Sequence, residues 1–136
     1  MNTYVAGLLF DDVGTNVALI TKNKPEWQKG KINAIGGKVE EHETFIEAMW
    51  REFEEETGVP VDEWFQFLIL TGSDYEVRFF SCFDKDMLSK VTTKEDEEVF
   101  IYNPSNLPSN VIPNIRWIVP MALNKTNFTY KVREGL

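Results

Sequence analysis

The chain of 136 residues has one cysteine, Cys82, so no internal disulfide can form, and a reducing cytoplasm suits it. Cys82 lies in the apolar run FFSCF, where a small buried hydrophobe is a simpler reading than a nucleophile. Long hydrophobic runs are missing too. Polar residues interrupt each apolar stretch after a few positions, so no segment could span a bilayer. The opening MNTYVAGLLFDD has no basic region ahead of its apolar residues and reads as a strand, so secretion is not expected. Positive charge is scarce: Lys and Arg number 14 against 22 Asp and Glu, a net charge of −8. That balance argues against a nucleic-acid partner, since such binding depends on a basic field. Repeats, low-complexity tracts and linkers are also lacking, so 1–136 reads as one domain, long enough to bury a real core.

What positive charge there is lies together. Lys22, Lys24, Lys29, Lys31 and Lys38 stand against Glu26 alone over residues 22–38, immediately before a strongly acidic stretch. A solubilising loop would look the same, but a basic loop feeding an acidic helix is the more specific pattern.

Residues 3–10 and 16–22 read as strands around the turn DDVGT, and INAI as a short strand running into Gly36-Gly37. A helix is predicted over 44–57, ended by Gly58 as a left-handed cap with Pro60 beyond. WFQFLILT and YEVRFFSCF read as strands joined by GSD. In the second, Val77 and Phe79 face one way and Arg78, Phe80 and Cys82 the other. The segment DKDMLSKVTTKEDEE reads as a polar stretch before the strand VFIY. Pro113-Asn114 opens a second helix through Leu123, and NFTYKV is a last strand. Strands before, between and after two helices predict an α/β fold with a mixed sheet flanked by helices.

Plotted at 100° per residue, the first helix shows three faces. Ile46, Trp50 and Phe53 form a stripe expected to pack on the sheet, while Glu47, Arg51 and Glu54 face or border solvent. Glu52, Glu55 and Glu56 converge on a third arc that also holds Ala48 and Met49 one turn earlier. Carboxylates on adjacent turns repel, by a few tenths of a kcal/mol per exposed pair and by more if desolvated. A hard divalent cation removes that cost, and Mg²⁺ shares its oxygen ligands with substrate phosphates. A solvated acidic face is the bland alternative, and the cluster's surroundings tell against it.

Gly37, five residues, Glu43, seven residues, then Arg51-Glu52-Phe53-Glu54-Glu55-Glu56-Thr57-Gly58-Val59 match GX5EX7REUXEEXGU at every specified position. This is the Nudix box, and the chain resembles the Nudix hydrolases, with compatible strand order along nearly its whole length. The resemblance implies an α/β/α sandwich and hydrolysis of a nucleoside diphosphate linked to another group, with Mg²⁺ or Mn²⁺. It implies that Glu52, Glu55 and Glu56 hold the metals together with the carbonyl of Gly36, and that Lys38 neutralises a phosphate oxygen. The paired glycines Gly36 and Gly37 let backbone approach an ion or phosphate with no Cβ in the way. Arg51 and Glu43 would brace the loop–helix junction by a charge-assisted hydrogen bond. The general base is assigned to Glu55, with Glu52 or a loop acid as alternatives. Glu97, preferred to Glu98 in the run 94–98, is that loop acid and a further metal ligand; a solvated acidic turn is its bland reading.

The box fixes the chemistry and not the leaving group. KINAIGGKVEEHET resembles the corresponding segment of nucleotide-pool sanitising enzymes of the MutT type, including 8-oxo-dGTP hydrolases. That likeness implies Asn33 as a purine reader, and Asn114 with Trp117 near the second helix as a second reading point. An amide offers donor and acceptor together, which suits a purine edge. Helix capping is the plain alternative for Asn114, and packing for Trp27 in the basic loop. The animal enzymes carry two acidic residues where this chain has Pro113-Asn114, which leaves open a preference for oxidised bases. Tyr75 lies near the position of a tyrosine found in some diadenosine polyphosphate hydrolases. The lack of a proline 15–16 positions after the box disfavours ADP-ribose.

The leading expectation is therefore a Mg²⁺-dependent pyrophosphohydrolase of (deoxy)nucleoside triphosphates that yields monophosphate and pyrophosphate. Hydrolysis of a dinucleoside polyphosphate, ADP-ribose or an RNA 5′-cap is the alternative. A non-catalytic Nudix-fold binder would have lost box acids that this chain keeps. Homodimers are frequent in the family, so a second copy of the chain is a candidate partner besides the nucleotide.

Overall fold

The computed structural model describes residues 1–135. Strand β1 (Asn2–Phe10) alternates its apolar side chains between two cores. Ala6, Leu8 and Phe10 enter one, Val5 and Leu9 the other, as a pleated strand covered on both faces requires. The turn after it is pinned by Asp11, whose carboxylate accepts from the Thr15 amide at 2.8 Å and from the Asn16 side chain at 2.9 Å. Gly14 takes the left-handed conformation at φ +78°. The returning strand β2 (Val17–Thr21) pairs with β1 only at Phe10↔Val17. The two then part, and β3 (Ile32–Asn33) continues beside β2.

Strand β4 (Ile35–Lys38) occupies the edge of β1 that β2 has left, with Ile35 opposite Gly7 and Lys38 opposite Tyr4. The single strand expected over INAI is divided at Ala34, and its second part, β4, runs on through the glycines. A Cβ on Gly36 would strike the Val5 carbonyl oxygen, so glycine is what lets the strands lie so close.

Helix α1 (Phe45–Thr57) starts with a capping box: the Glu47 amide donates to the Thr44 hydroxyl at 3.2 Å, and the Thr44 amide donates to the Glu47 carboxylate at 2.9 Å. It ends at Gly58, left-handed at φ +79°, whose amide donates to the Glu54 carbonyl. Its buried face corrects the sequence expectation. Ala48, Met49, Phe53 and Thr57 are buried, whereas Trp50 is 42% exposed and Ile46 only half-buried. The helix lies on the sheet through its slimmer side chains, with Met49 seated over Gly7, where a Cβ would come within 2.7 Å of the Met49 methyl. Trp50 instead lies outside, its indole N–H donating to the Asp62 carbonyl at 3.2 Å. This rotation sets the arc of Glu52 and Glu56 at the edge of the buried face.

Strands β5 (Phe65–Thr71) and β6 (Tyr75–Phe83) form the predicted hairpin, and β6 runs parallel to β1 along its whole length. Val77 and Phe79 pack in one core and Phe80 and Cys82 in the other, as the alternation predicted. The polar stretch that follows contains a one-turn helix, α2 (Lys85–Leu88), capped by Asp84. Strand β7 (Val99–Tyr102) pairs with β2. Helix α3 (Ile115–Leu123) buries Ile115, Ile118, Val119 and Ala122 on the face of the sheet opposite α1. Strand β8 (Tyr130–Arg133), three residues shorter at its start than predicted, lies parallel to β5. The result is a mixed eight-stranded sheet between helices. Among the described residues no helix is long and apolar enough to cross a membrane.

Candidate active site

The acids of α1 are organised around one cation. Arg51 donates to both oxygens of Glu43, at 2.7 and 3.0 Å, a paired geometry that only a guanidinium supplies. Its remaining hydrogens reach Glu52 at 2.8 Å, Glu55 at 3.2 Å and the Lys38 carbonyl at 3.1 Å. The guanidinium thus ties the loop before α1, the helix itself and the end of β4 into one unit. It holds the Glu43 carboxyl below its ordinary range, partly against the cost of burial. The side chain of Glu52 is 15% exposed and that of Glu55 51%. Burial pushes the Glu52 carboxyl up, with Arg51 pulling against it. Glu47 and Glu54 face solvent, as the helical plot predicted.

Glu56 lies one turn beyond Glu52 on the same side. Burial, reinforced by the charge of Glu97 and opposed by that of Lys22, pushes its carboxyl up to about 7. Its Oε2 is buried with no hydrogen-bond partner among the described residues. Across from the helix, a Cβ on Gly37 would run into the Glu52 carboxylate, so the bare backbone of β4 and the helix acids share one small space. Glu97, on the loop before β7, is buried and held by Lys22 and by the amides of Asn23 and Lys24. Burial raises its carboxyl, but these donors hold it below the ordinary range.

Among the described residues, no three His, Cys, Asp or Glu side chains are already gathered into a ligand set. Arg51 engages Glu52 and Glu55, while Lys22 and two amides engage Glu97. The donor chemistry nevertheless fits a hard divalent cation. The groups are all oxygen donors, the buried Glu56 Oε2 has no partner among the described residues, and a glycine strand lies against Glu52.

A cleft of about 510 Å³ opens alongside, over the part of β1 that carries β4. Asn33, Gly36, Gly37, Lys38 and Asn114 all line it, so residues singled out from distant parts of the sequence meet in one depression. Trp117 does not line it; it sits on α3, partly exposed. The Asn33 side chain donates to the Gln28 amide oxygen at 3.0 Å and accepts from the Ala34 amide at 2.8 Å. Asn114 stands at the start of α3, but its side chain makes no capping hydrogen bond, so its amide is not spent on the helix. Trp27, expected to pack, is 65% exposed and lines the cleft. Gln28 and Tyr4 line it as well and were not singled out, and Lys22 of the basic cluster joins them. The cluster of lysines and the tryptophan in 22–31 were the available signals, but which side of the loop faces the cleft is a tertiary property.

The family model for the NUDIX domain matches residues 1–134. The chain belongs to the Nudix family. Solved structures agree on the fold. A MutT Nudix hydrolase from Burkholderia pseudomallei superposes with a TM-score of 0.74 at 17% identity, covering 88% of this chain and 96% of that one. MutT from Aliivibrio salmonicida and Vibrio cholerae gives 0.69 at 23% identity, covering 88% and 97%. An ADP-ribose pyrophosphatase from Streptococcus suis gives 0.69 at 12% identity, covering 98% of both chains. No curated protein matches the chain at a significant level. The chain is a Nudix pyrophosphohydrolase; Nudix hydrolases act on small nucleotide substrates and use divalent metal ions.

Proposed function

We propose that this Nudix enzyme hydrolyses (deoxy)nucleoside triphosphates to monophosphate and pyrophosphate with Mg²⁺, for which Mn²⁺ can substitute. The observation that carries the proposal is the adjacency along β4 of two surfaces. One is the Glu52–Glu56 side of α1; the other is a cleft with lysines at Lys22 and Lys38 and amides at Asn33 and Asn114. In this reading Glu52, Glu55, Glu56 and the Gly36 carbonyl hold the metal. A divalent ion there would offset polyphosphate charge and lower the pKa of a water molecule, so that it gives up a proton more readily as it attacks phosphorus.

The chain's own groups do the rest. The amide backbone of Gly36–Gly37 and the ammonium of Lys38 receive phosphate oxygens, and Trp27 offers a stacking face to the base. Asn33 and Asn114 present amides to the base edge. Glu55, the most exposed of the three helix acids, takes the proton of the attacking water, with Glu52 as the alternative base. One phosphoanhydride P–O bond breaks, the water oxygen stays on one phosphoryl product, and one proton is released. Oxidised purines such as 8-oxo-dGTP fall within the same substrate class. A cytoplasmic location belongs to the proposal, since a single cysteine, Cys82, leaves the chain without an internal disulfide.

Dinucleoside polyphosphate hydrolysis is the second reading, favoured by Tyr75, which lines the same cleft. Comparison of kcat/KM for 8-oxo-dGTP, dGTP, dATP, diadenosine tetraphosphate and ADP-ribose with Mg²⁺ separates the two. A triphosphate should lead, with pyrophosphate released; preference for the dinucleotide or for ADP-ribose would overturn the proposal.

A further inference from the structure

Glu97 joins two loops that are remote in sequence. Its Oε1 accepts from the Lys22 ammonium at 3.0 Å, and its Oε2 accepts from the amides of Asn23 at 2.6 Å and Lys24 at 3.3 Å. Its neighbours extend the seam: the Thr21 amide donates to the Glu98 carbonyl at 2.8 Å, and the Asn23 side chain to the Asp96 carbonyl at 3.3 Å. On the other side, the Lys22 amide donates to the Lys31 carbonyl and the Gly30 amide to the Lys22 carbonyl, each at 2.8 Å. The base of the loop 22–31 is therefore gripped from both sides. The segment between carries Trp27 and Gln28 to the cleft, and Gln28 in turn holds Asn33.

We infer that Glu97 is a positioning residue for the nucleotide end of the cleft and not a metal ligand; this rests on the cleft reading above. An ion that drew the carboxylate away would strip two backbone amides and a partly buried ammonium of their acceptor. Such donors are costly to leave unpaired, and a buried carboxylate with three donors has its geometry already committed. Glu52 and Glu56 differ in kind: the first answers only to a neighbouring side chain, and the second keeps a partnerless oxygen.

Amide hydrogen exchange on the wild-type protein, with Mg²⁺ as the only addition, decides the matter without a substrate. The Asn23 and Lys24 amides should exchange at rates that agree within about twofold with and without the ion. An acceleration of about tenfold or more on adding Mg²⁺ would mean that Glu97 leaves its amides for the metal, and would overturn the assignment. The variant Glu97→Gln keeps an acceptor for the amides but loses the ion pair. It should raise KM for dGTP about tenfold with kcat within about threefold, and leave Mn²⁺ affinity, read by electron paramagnetic resonance, unchanged. Weakened Mn²⁺ binding with unchanged KM, or no change in either, would refute the positioning role. If the variant does not fold, the exchange measurement stands alone. Failure of the hydrolase reading would appear in the substrate panel, which the exchange experiment does not use.

Discussion

Arg51 and Glu43, eight positions apart across the start of α1, form a two-pronged ion pair at 2.7 and 3.0 Å. The same guanidinium reaches Glu52, Glu55 and the Lys38 carbonyl, so a single planar cation sets both helix acids against the end of β4. Arg51→Lys keeps the charge and loses the fork. It should destabilise the fold by about 1–3 kcal/mol in thermal melts. It should also lower kcat about 100-fold through misplaced carboxylates. Full activity in the lysine variant would show that the fork does not position the site.

Glu56 links the site to pH. Its carboxyl rises from an ordinary value near 4.5 to about 7 in the folded protein, chiefly by burial. Between those values the folded state binds more protons than the unfolded chain, so this group's contribution to stability falls as pH rises and levels off above about 7. In protein stripped of divalent ions, Tm should therefore decline over that window more steeply for the wild type than for Glu56→Gln, and Mg²⁺ should remove the difference. The variant should remain folded and lose at least about 100-fold in kcat. Parallel Tm profiles for the two proteins would refute the shift.

The adjacent glycines should fail in different ways. In Gly36→Ala the new methyl strikes the Val5 carbonyl of the neighbouring strand, and backbone cannot swing aside. A loss of about 1–3 kcal/mol or more is expected in chemical denaturation. In Gly37→Ala the methyl meets the Glu52 carboxylate, a side chain that can move. Stability should change by less than about 1 kcal/mol, yet kcat should fall about tenfold or more because Glu52 has been displaced. Equal destabilisation by the two substitutions would contradict this difference.

Trp27 and Asn114 should matter to substrate and not to the fold. Trp27 is mostly exposed, and the Asn114 side chain caps nothing. Replacing either with alanine should shift stability by no more than about 0.5 kcal/mol. Trp27→Ala should raise KM about tenfold for every nucleotide, because stacking accepts any base. Asn114→Ala should change the ratio of kcat/KM between purines instead. A uniform loss from Asn114→Ala would deny it a role in reading the base.

The sequence was most legible where the determinants are local. The left-handed cap at Gly58, the strand alternation of β6 and the arc of Glu52, Glu55 and Glu56 all follow from spacing along one element. It was least legible where two elements compete for a surface. Helical periodicity grouped Trp50 with Phe53 and set Ala48 apart. Packing chose the slimmer Ala48–Met49 face because Gly7 leaves a recess there, and Trp50 was turned outward to Asp62. The glycines read as a strand's end because they lack β propensity; the close approach of Val5 makes them a strand.

Membership of the Nudix family and the placement of its acidic helix were determined by the sequence alone, since the box is one contiguous run from the end of β4 through α1 to Val59. Only the tertiary structure decided which acids are already engaged and what lines the cleft. Glu97 meets Lys22 across 75 positions, and Asn33 on β3 and Asn114 at the start of α3 come to one cleft. Pairings of that kind depend on where β4 parts β1 from β2, a choice made by packing and strand register that no local spacing encodes.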